Sequence, residues 1–217
     1  MSLITKVRVA NTSRTVEAEV VPCSFADVVA WHRHIHIPFV AQTRVIGSQW
    51  DWPALYLGCH VSEQTLGRQA LAFQVRVSDA TGNAVPIAQA LVSLPYPWPA
   101  AHHQRCVFLW FLAATPATAL NHFGIRDRFS TLPPLLDVAV QVSLSHGLEG
   151  RIGLHAALGH TTKESDALAA RYEREGLKRR SRLSRFFRFP HRKDDGRLFY
   201  FGPEDAKAFA ARQDDLR

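Results

Sequence analysis

The chain has 217 residues, 47% of them apolar, and a formal net charge of +7; it can bury a core, and a single domain over 1–217 is expected rather than a disordered or repetitive chain. Its longest uncharged apolar stretch, Cys106 to Leu120, is shorter than the roughly 18–20 residues that span a bilayer. No long apolar run follows the first positive charges, so neither a secretory leader nor a membrane partner is expected, and the expected location is cytoplasmic.

The opening stretch ITKVRVANTSRTVEAEVVPCS is rich in β-branched residues and predicts one or two strands. Ser24 can cap a helix starting FADVVAWHRH, with Asp27 in the capping-box position. GSQWDWP, residues 47–53, reads as a loop whose two tryptophans fold onto the body. ALAFQVRVSD, the turn ATGNAV and IAQALVSLPYPW predict an antiparallel hairpin. RCVFLWFLAAT continues the sheet as a nearly unbroken apolar run, the pattern of a strand covered on both faces.

A helix follows, with Leu135, Leu136, Ala139, Val140, Val142 and Ser143 near a 3.6-residue period, ending at Gly147 and Gly150. RIGLHAA is a short strand. Thr161 and Glu164 predict a capping box for the helix KESDALAARYEREG, which Gly176 closes. RLFYF is a last strand. Gly202 and Pro203 then open a C-terminal helix, with Glu204 and Asp205 at its positive end. This order predicts an α/β (α+β) fold, with a mixed, largely antiparallel central sheet flanked by helices.

From VFLWFLAATP through HGLEGRIGLHA to YEREGL, residues of the segment 106–180 resemble the GNAT superfamily of acyl-CoA-dependent N-acyltransferases. There a central strand is followed by a loop, a helix, a diverging strand, and a helix ending Tyr-x-x-x-Gly-aromatic; here Leu177 takes the aromatic position. The resemblance implies a GNAT-like fold, acetyl-CoA or another acyl-CoA as cofactor, and a small-molecule or protein amine as acceptor. It places the pantetheine arm along Leu112, Ala113 and Ala114. It also implies that Tyr172 acts as general acid toward the departing thiolate, and it sets His155 on the diverging strand beside the acceptor.

The family's Arg/Gln-x-x-Gly-x-Gly/Ala signature, whose backbone N–H groups hold the CoA diphosphate at a helix N-terminus, falls on Phe129, Ser130, Thr131, Leu132, Pro133 and Pro134. None of its residue types is present. Prolines suit helix entry, but each removes an N–H that would face a phosphate. Arg126 and Arg128 are candidate side-chain ligands in partial compensation.

Each candidate residue has a plainer reading beside the functional one. Tyr172 can simply anchor a helix, and His155 can be a satisfied core or rim imidazole. Ser165 stands near where the family often has an Asn. His32, His34 and His36 alternate, so an extended chain would put three imidazoles on one face; in a continuing helix only His32 and His36 share a side, and no metal is expected. Cys23, Cys59 and Cys106 are widely spaced without a C-x-x-C pair, which argues for free thiols rather than a disulfide framework or zinc ribbon.

The charge is concentrated in LKRRSRLSRFFRFPHRK, residues 177–193, with eight Lys and Arg and no acid. Arg179, Arg180, Arg182, Arg185 and Arg188, interleaved with phenylalanines, suit phosphate contacts with base stacking or an edge strand with its arginines in water. Two functions follow. One is a GNAT-fold N-acetyltransferase with an atypical or lost cofactor site. The alternative is an inactive GNAT-like adaptor that uses the basic run on nucleic acid or an acidic protein.

Overall fold

In a computed structural model, residues 3–180 and 195–217 are described. A two-stranded ribbon, β1 (Lys6–Arg8) with β2 (Thr15–Glu17), precedes a seven-stranded sheet. The sheet is built from β3 (Glu19–Pro22), β4 (Gln69–Ser78), β5 (Ala84–Pro97), β6 (Arg105–Ala114), β7 (Ile152–His155), β8 (Lys178–Arg179) and β9 (Leu198–Phe201). Its order is β3-β4-β5-β6-β7-β9-β8, antiparallel throughout except for the parallel pair β6/β7. This is the mixed, largely antiparallel sheet flanked by helices expected from the sequence.

Local hydrogen bonding explains the helix ends. Helix α1 (Phe25–Trp31) starts at a full capping box: Ser24 Oγ accepts from the Asp27 N–H at 3.3 Å, and Asp27 accepts from the Ser24 N–H at 2.9 Å. It runs into a π-helical stretch, His32–Val40, that contains Pro38. Proline breaks the i→i−4 ladder, and the wider turn absorbs it, with the Ala41 N–H donating five residues back to His36 at 2.8 Å. Helices α2 (Trp52–Thr65) and α3 (Ala117–His122) were not anticipated from the sequence. The signal for α2 lay in the segment read as a loop: Asp51 caps it by accepting from the Ala54 N–H at 3.1 Å, with Pro53 in the first turn.

Helix α4 (Leu132–Ser145) ends in a Schellman motif. Gly147, at φ +69°, donates to Leu144 and Leu148 donates to Ser143. Helix α5 (Thr162–Arg174) ends in the same way, through Gly176 to Glu173 and Leu177 to Tyr172. At its start Thr161 Oγ1 accepts from the Glu164 N–H, whereas Glu164 reaches back to the His160 N–H, one residue before the cap. Helix α6 (Pro203–Ala211) opens at Gly202, whose N–H donates to Asp205 at 3.0 Å.

The main core joins α4, Tyr172 and Leu177, Phe209 of α6, and one face of the sheet. The second core packs α1, the π-helical stretch and Trp52 against Ala72 and Leu91 on the opposite face. β6 departs from the strand expected to be covered on both faces: Cys106 to Leu109 are buried, but Trp110 to Ala113 are half-buried and Ala114 is exposed. Among the described residues no helix is long and apolar enough to cross a membrane.

Candidate functional site

The open half of β6 follows from where its neighbour leaves it. Val107, Phe108 and Leu109 pair with Ile152, Gly153 and Leu154. Beyond that point β6 stays with β5 as far as Ala114, while the chain past β7 stays with β9 through an Ala156 N–H donated to the Arg197 carbonyl at 2.9 Å. The two strands therefore part, and the backbone of β6 from Trp110 onward faces a cavity of about 440 Å³.

A β-bulge shapes one wall of it. On β5, Leu91 pairs with Phe111 and Val92 with Leu109, so Trp110 is the extra residue, and a bulge turns two successive side chains to the same side. Trp110 packs with Tyr96 and Phe108, and Phe111 with Trp50 and Trp52, while Leu109 and Leu112 turn to the α4 side. The indole N–H of Trp110 donates to Ser93 Oγ at 2.8 Å.

Of the residues predicted for cofactor and catalysis, Leu112, Ala113, Ala114, Thr131, Leu132, His155 and Tyr172 line this cavity. Tyr172 is 3% exposed and packs on Phe199. Burial pushes its hydroxyl up to about 12, against the opposing pull of Arg171. The Schellman cap places it: in Tyr-Glu-Arg-Glu-Gly-Leu, Tyr172 and Leu177 are the two residues that such a cap brings into contact, and both are buried.

His155 is held by residues that sequence reasoning did not single out. Its Nε2 lies 3.0 Å from Asp195 Oδ1, and Asp195 also accepts from Arg197 Nε at 2.8 Å and from the Arg197 backbone N–H at 3.1 Å. Arg197 in turn donates to the Ala156 carbonyl at 2.8 Å. Burial pushes the Asp195 carboxyl up, but hydrogen bonds from Arg197 and His155 outweigh it, leaving the group below the usual carboxylate range. A carboxylate on Nε2 fixes the neutral imidazole with its proton there and its lone pair on Nδ1. Asp195 lies 40 positions from His155, and no local pattern links the two.

The α4 tip fits a diphosphate poorly. Pro133 and Pro134 have no N–H, and the Ser130 N–H is committed to the Arg8 carbonyl at 3.0 Å. A β-bridge joins Phe129 to Val9, and the Ala10 N–H donates to the Arg128 carbonyl. Thr131 and Leu132 keep the amides that are left. Arg126 and Arg128 are exposed, Phe129 and Ser130 are half-buried, and none of the four lines the cavity. The edge of β6 from Leu112 to Ala114, by contrast, is open along the cavity and suits an extended amide-bearing arm.

Ser165 serves the start of α5, accepting from the Gly159 N–H at 3.0 Å and donating to Thr161. His32 and His36 share a side with rings stacked at 5.2 Å, and His34 is exposed. Among the described residues no group of three His, Cys, Asp or Glu side chains is placed to hold a metal. Arg179 donates to the Gly196 carbonyl at 2.6 Å, and Arg180 meets His102 at 3.0 Å. Arg182, Arg185 and Arg188 lie outside the described residues. Cys23, Cys59 and Cys106 form no disulfide, and Cys23 and Cys106 are buried.

No family model matches the chain, and no curated protein matches it. Among solved structures it is similar to a spermidine N-acetyltransferase from Vibrio cholerae, at 16% identity over 87% of this chain and 95% of that one, with a TM-score of 0.48. It is also similar to an acetyltransferase described as GNAT family from Chromobacterium violaceum, at 13% identity over 95% and 96% of the two chains, with a TM-score of 0.48.

Proposed function

We propose that the cleft between β6 and β7 is an acyl-transfer site, in which an amine takes an acyl group from a pantetheine thioester held only loosely through its diphosphate. The observation that carries this reading is the parting of the parallel pair β6/β7 into a cavity lined by both Tyr172 and His155. A bound acyl-CoA supplies the activated acyl group. Leu112 to Ala114 present unpaired backbone groups to an extended arm, and Thr131 and Leu132 offer the remaining amides at the α4 tip.

Tyr172, pushed up to about 12 by burial, keeps its proton at Oη across the working pH range, the state a proton donor requires. His155, oriented by Asp195, has an imidazole suited to taking a proton from an ammonium. Tyr172 and His155 both line the cavity, so each can act on a different part of a substrate between them.

Calorimetry with acetyl-CoA tests the proposal. Saturable binding in the high micromolar to millimolar range is expected, and no heat at millimolar ligand sinks the acyl-transfer reading. Tyr172→Phe should lower kcat on a good acceptor by about 10²-fold while leaving acetyl-CoA affinity unchanged. An unchanged kcat would return Tyr172 to a purely packing role.

A further inference from the structure

We propose that the acceptor end of the cavity is an aromatic recess for a monoamine with an aromatic body, and that it discriminates against polyamines. The inference rests on the acyl-transfer reading for its chemistry but not for binding. The recess lies on the face of β6 opposite α4, where the bulge at Trp110 sends Trp110 and Phe111 to one side. Trp50 stands edge-to-face to Phe111 at 5.1 Å and to Trp52 at 5.8 Å, and Trp31 closes the back at 6.4 Å from Trp52. All five residues line the cavity, and Trp50, Trp110 and Phe111 are only half-buried. Rings in this arrangement receive another ring edge-to-face or offset.

A loop fixes the outer wall. Gly47, at φ +86°, lies so close to Trp50 that a Cβ there would come within 2.9 Å of its ring, so the glycine lets the loop lie flat against the indole. At the rim, Val45 and Leu158 are more than half exposed and line the same cavity from its two sides. Exposed apolar side chains gathered at a cavity mouth favour an apolar ligand.

The polar groups select within that class. His36, buried in the wall, has its Nε2 at 3.0 Å from the Ser48 carbonyl. A neutral ring that donates through Nε2 offers its Nδ1 lone pair, which can accept from one ammonium. Burial holds this imidazole below its ordinary value, partly offset by the Ser48 carbonyl. No Asp or Glu among the described residues lines the cavity, while Arg171 and Arg197 do. Among the described residues that line the cavity, a second or third ammonium would meet arginines and no carboxylate, and an unpaired desolvated charge is costly.

The test is calorimetry and intrinsic tryptophan emission of the full chain with 2-phenylethylamine and with spermidine, in the absence of any acyl donor. Saturable binding of 2-phenylethylamine with a shift in tryptophan emission is expected, and spermidine should bind at least tenfold more weakly. Trp50→Ala should weaken 2-phenylethylamine by about tenfold and Trp50→Phe should restore most of the loss. Should Trp50→Ala not fold, Ala113→Leu, which fills the recess from β6, should give the same loss. Spermidine binding as tightly as 2-phenylethylamine, no saturable 2-phenylethylamine binding, or wild-type affinity in Trp50→Ala or Ala113→Leu overturns the recess. Acetyl transfer to spermidine alone would also overturn it and leave the acyl-transfer reading standing. Amine binding without acetyl-CoA binding would do the reverse.

Discussion

Asp137 shows how a single buried group sets a pH dependence. It lies on α4 with no exposed surface; Oδ1 accepts from the Arg217 guanidinium at 2.5 Å, while Oδ2 is buried without a partner. Burial therefore outweighs the arginine and pushes the carboxyl up to about 6. A folded value above the unfolded one means that this group's contribution to stability is fully present below pH 4 and lost as pH rises through about 6. The loss amounts to roughly 3 kcal/mol. Asp137→Asn, neutral at every pH, should flatten that loss, read as the change in urea midpoint between pH 5 and pH 8 compared with wild type. An identical pH slope in the variant would refute the assignment. His36 acts in the opposite sense: burial lowers its value, so its contribution is present above about pH 6.5 and lost on acidification. Comparing the variant with wild type cancels that contribution.

At the scale of the element, one glycine and two prolines shape the proposed site. Gly153 sits in β7 between Phe108 and Tyr200 in the ladder, and a Cβ there would lie 2.7 Å from Pro99 Cδ and 3.1 Å from a Phe108 ring carbon. The proline ring cannot swing away, so Gly153→Ala should cost about 1–3 kcal/mol in chemical denaturation by forcing β7 from its neighbours. Because β7 is the strand that parts from β6, the same change should also weaken ligand binding in the cleft. The α4 tip offers a gain rather than a loss. Pro133→Ala with Pro134→Ala restores two N–H groups in the first turn, each worth on the order of 1.5–3 kcal/mol when donated to a charged group. Acetyl-CoA affinity measured by calorimetry should rise by roughly tenfold or more. An unchanged Kd would mean that the diphosphate does not approach this turn.

Across the whole molecule, residues 5–10 are strapped onto the C-terminal turn and onto the loop that leads into α4. The Thr5 N–H donates to the Leu216 carbonyl, and Arg8 and Ala10 bracket the bridge to residue 129. In the proposed reading, a donor's nucleotide end would meet a surface where Pro133 and Pro134 lack an N–H and the Ser130 N–H is committed to Arg8, while its arm would meet an open strand edge. Acetyl-pantetheine, which lacks the nucleotide, should bind within about tenfold of acetyl-CoA. A loss of a thousandfold would place most of the affinity on the nucleotide and contradict this reading of the tip.

The legible part of this protein is the part whose hydrogen bonds close within about five residues. Ser24 with Asp27, Gly147 after α4, and the Tyr172–Gly176–Leu177 cap satisfy helix ends with neighbours in sequence, so their residue types and spacing are sufficient to read them. The β4–β5 hairpin belongs to the same class, its turn held by Asp79 accepting from the Thr81 and Asn83 N–H groups. The α2 start at Asp51 and Pro53 was equally local but hidden by the tryptophans around it. What sequence could not decide is everything that depends on which strands become neighbours. The link from His155 to Asp195, the capture of the Ser130 N–H by Arg8, and the meeting of Trp50 with Phe111 join residues tens to more than a hundred positions apart. The first exists because the sheet order sets β7 beside β9, the second because β1 lies against the loop before α4, and the third because one extra residue in β6 turns Trp110 and Phe111 to the same side.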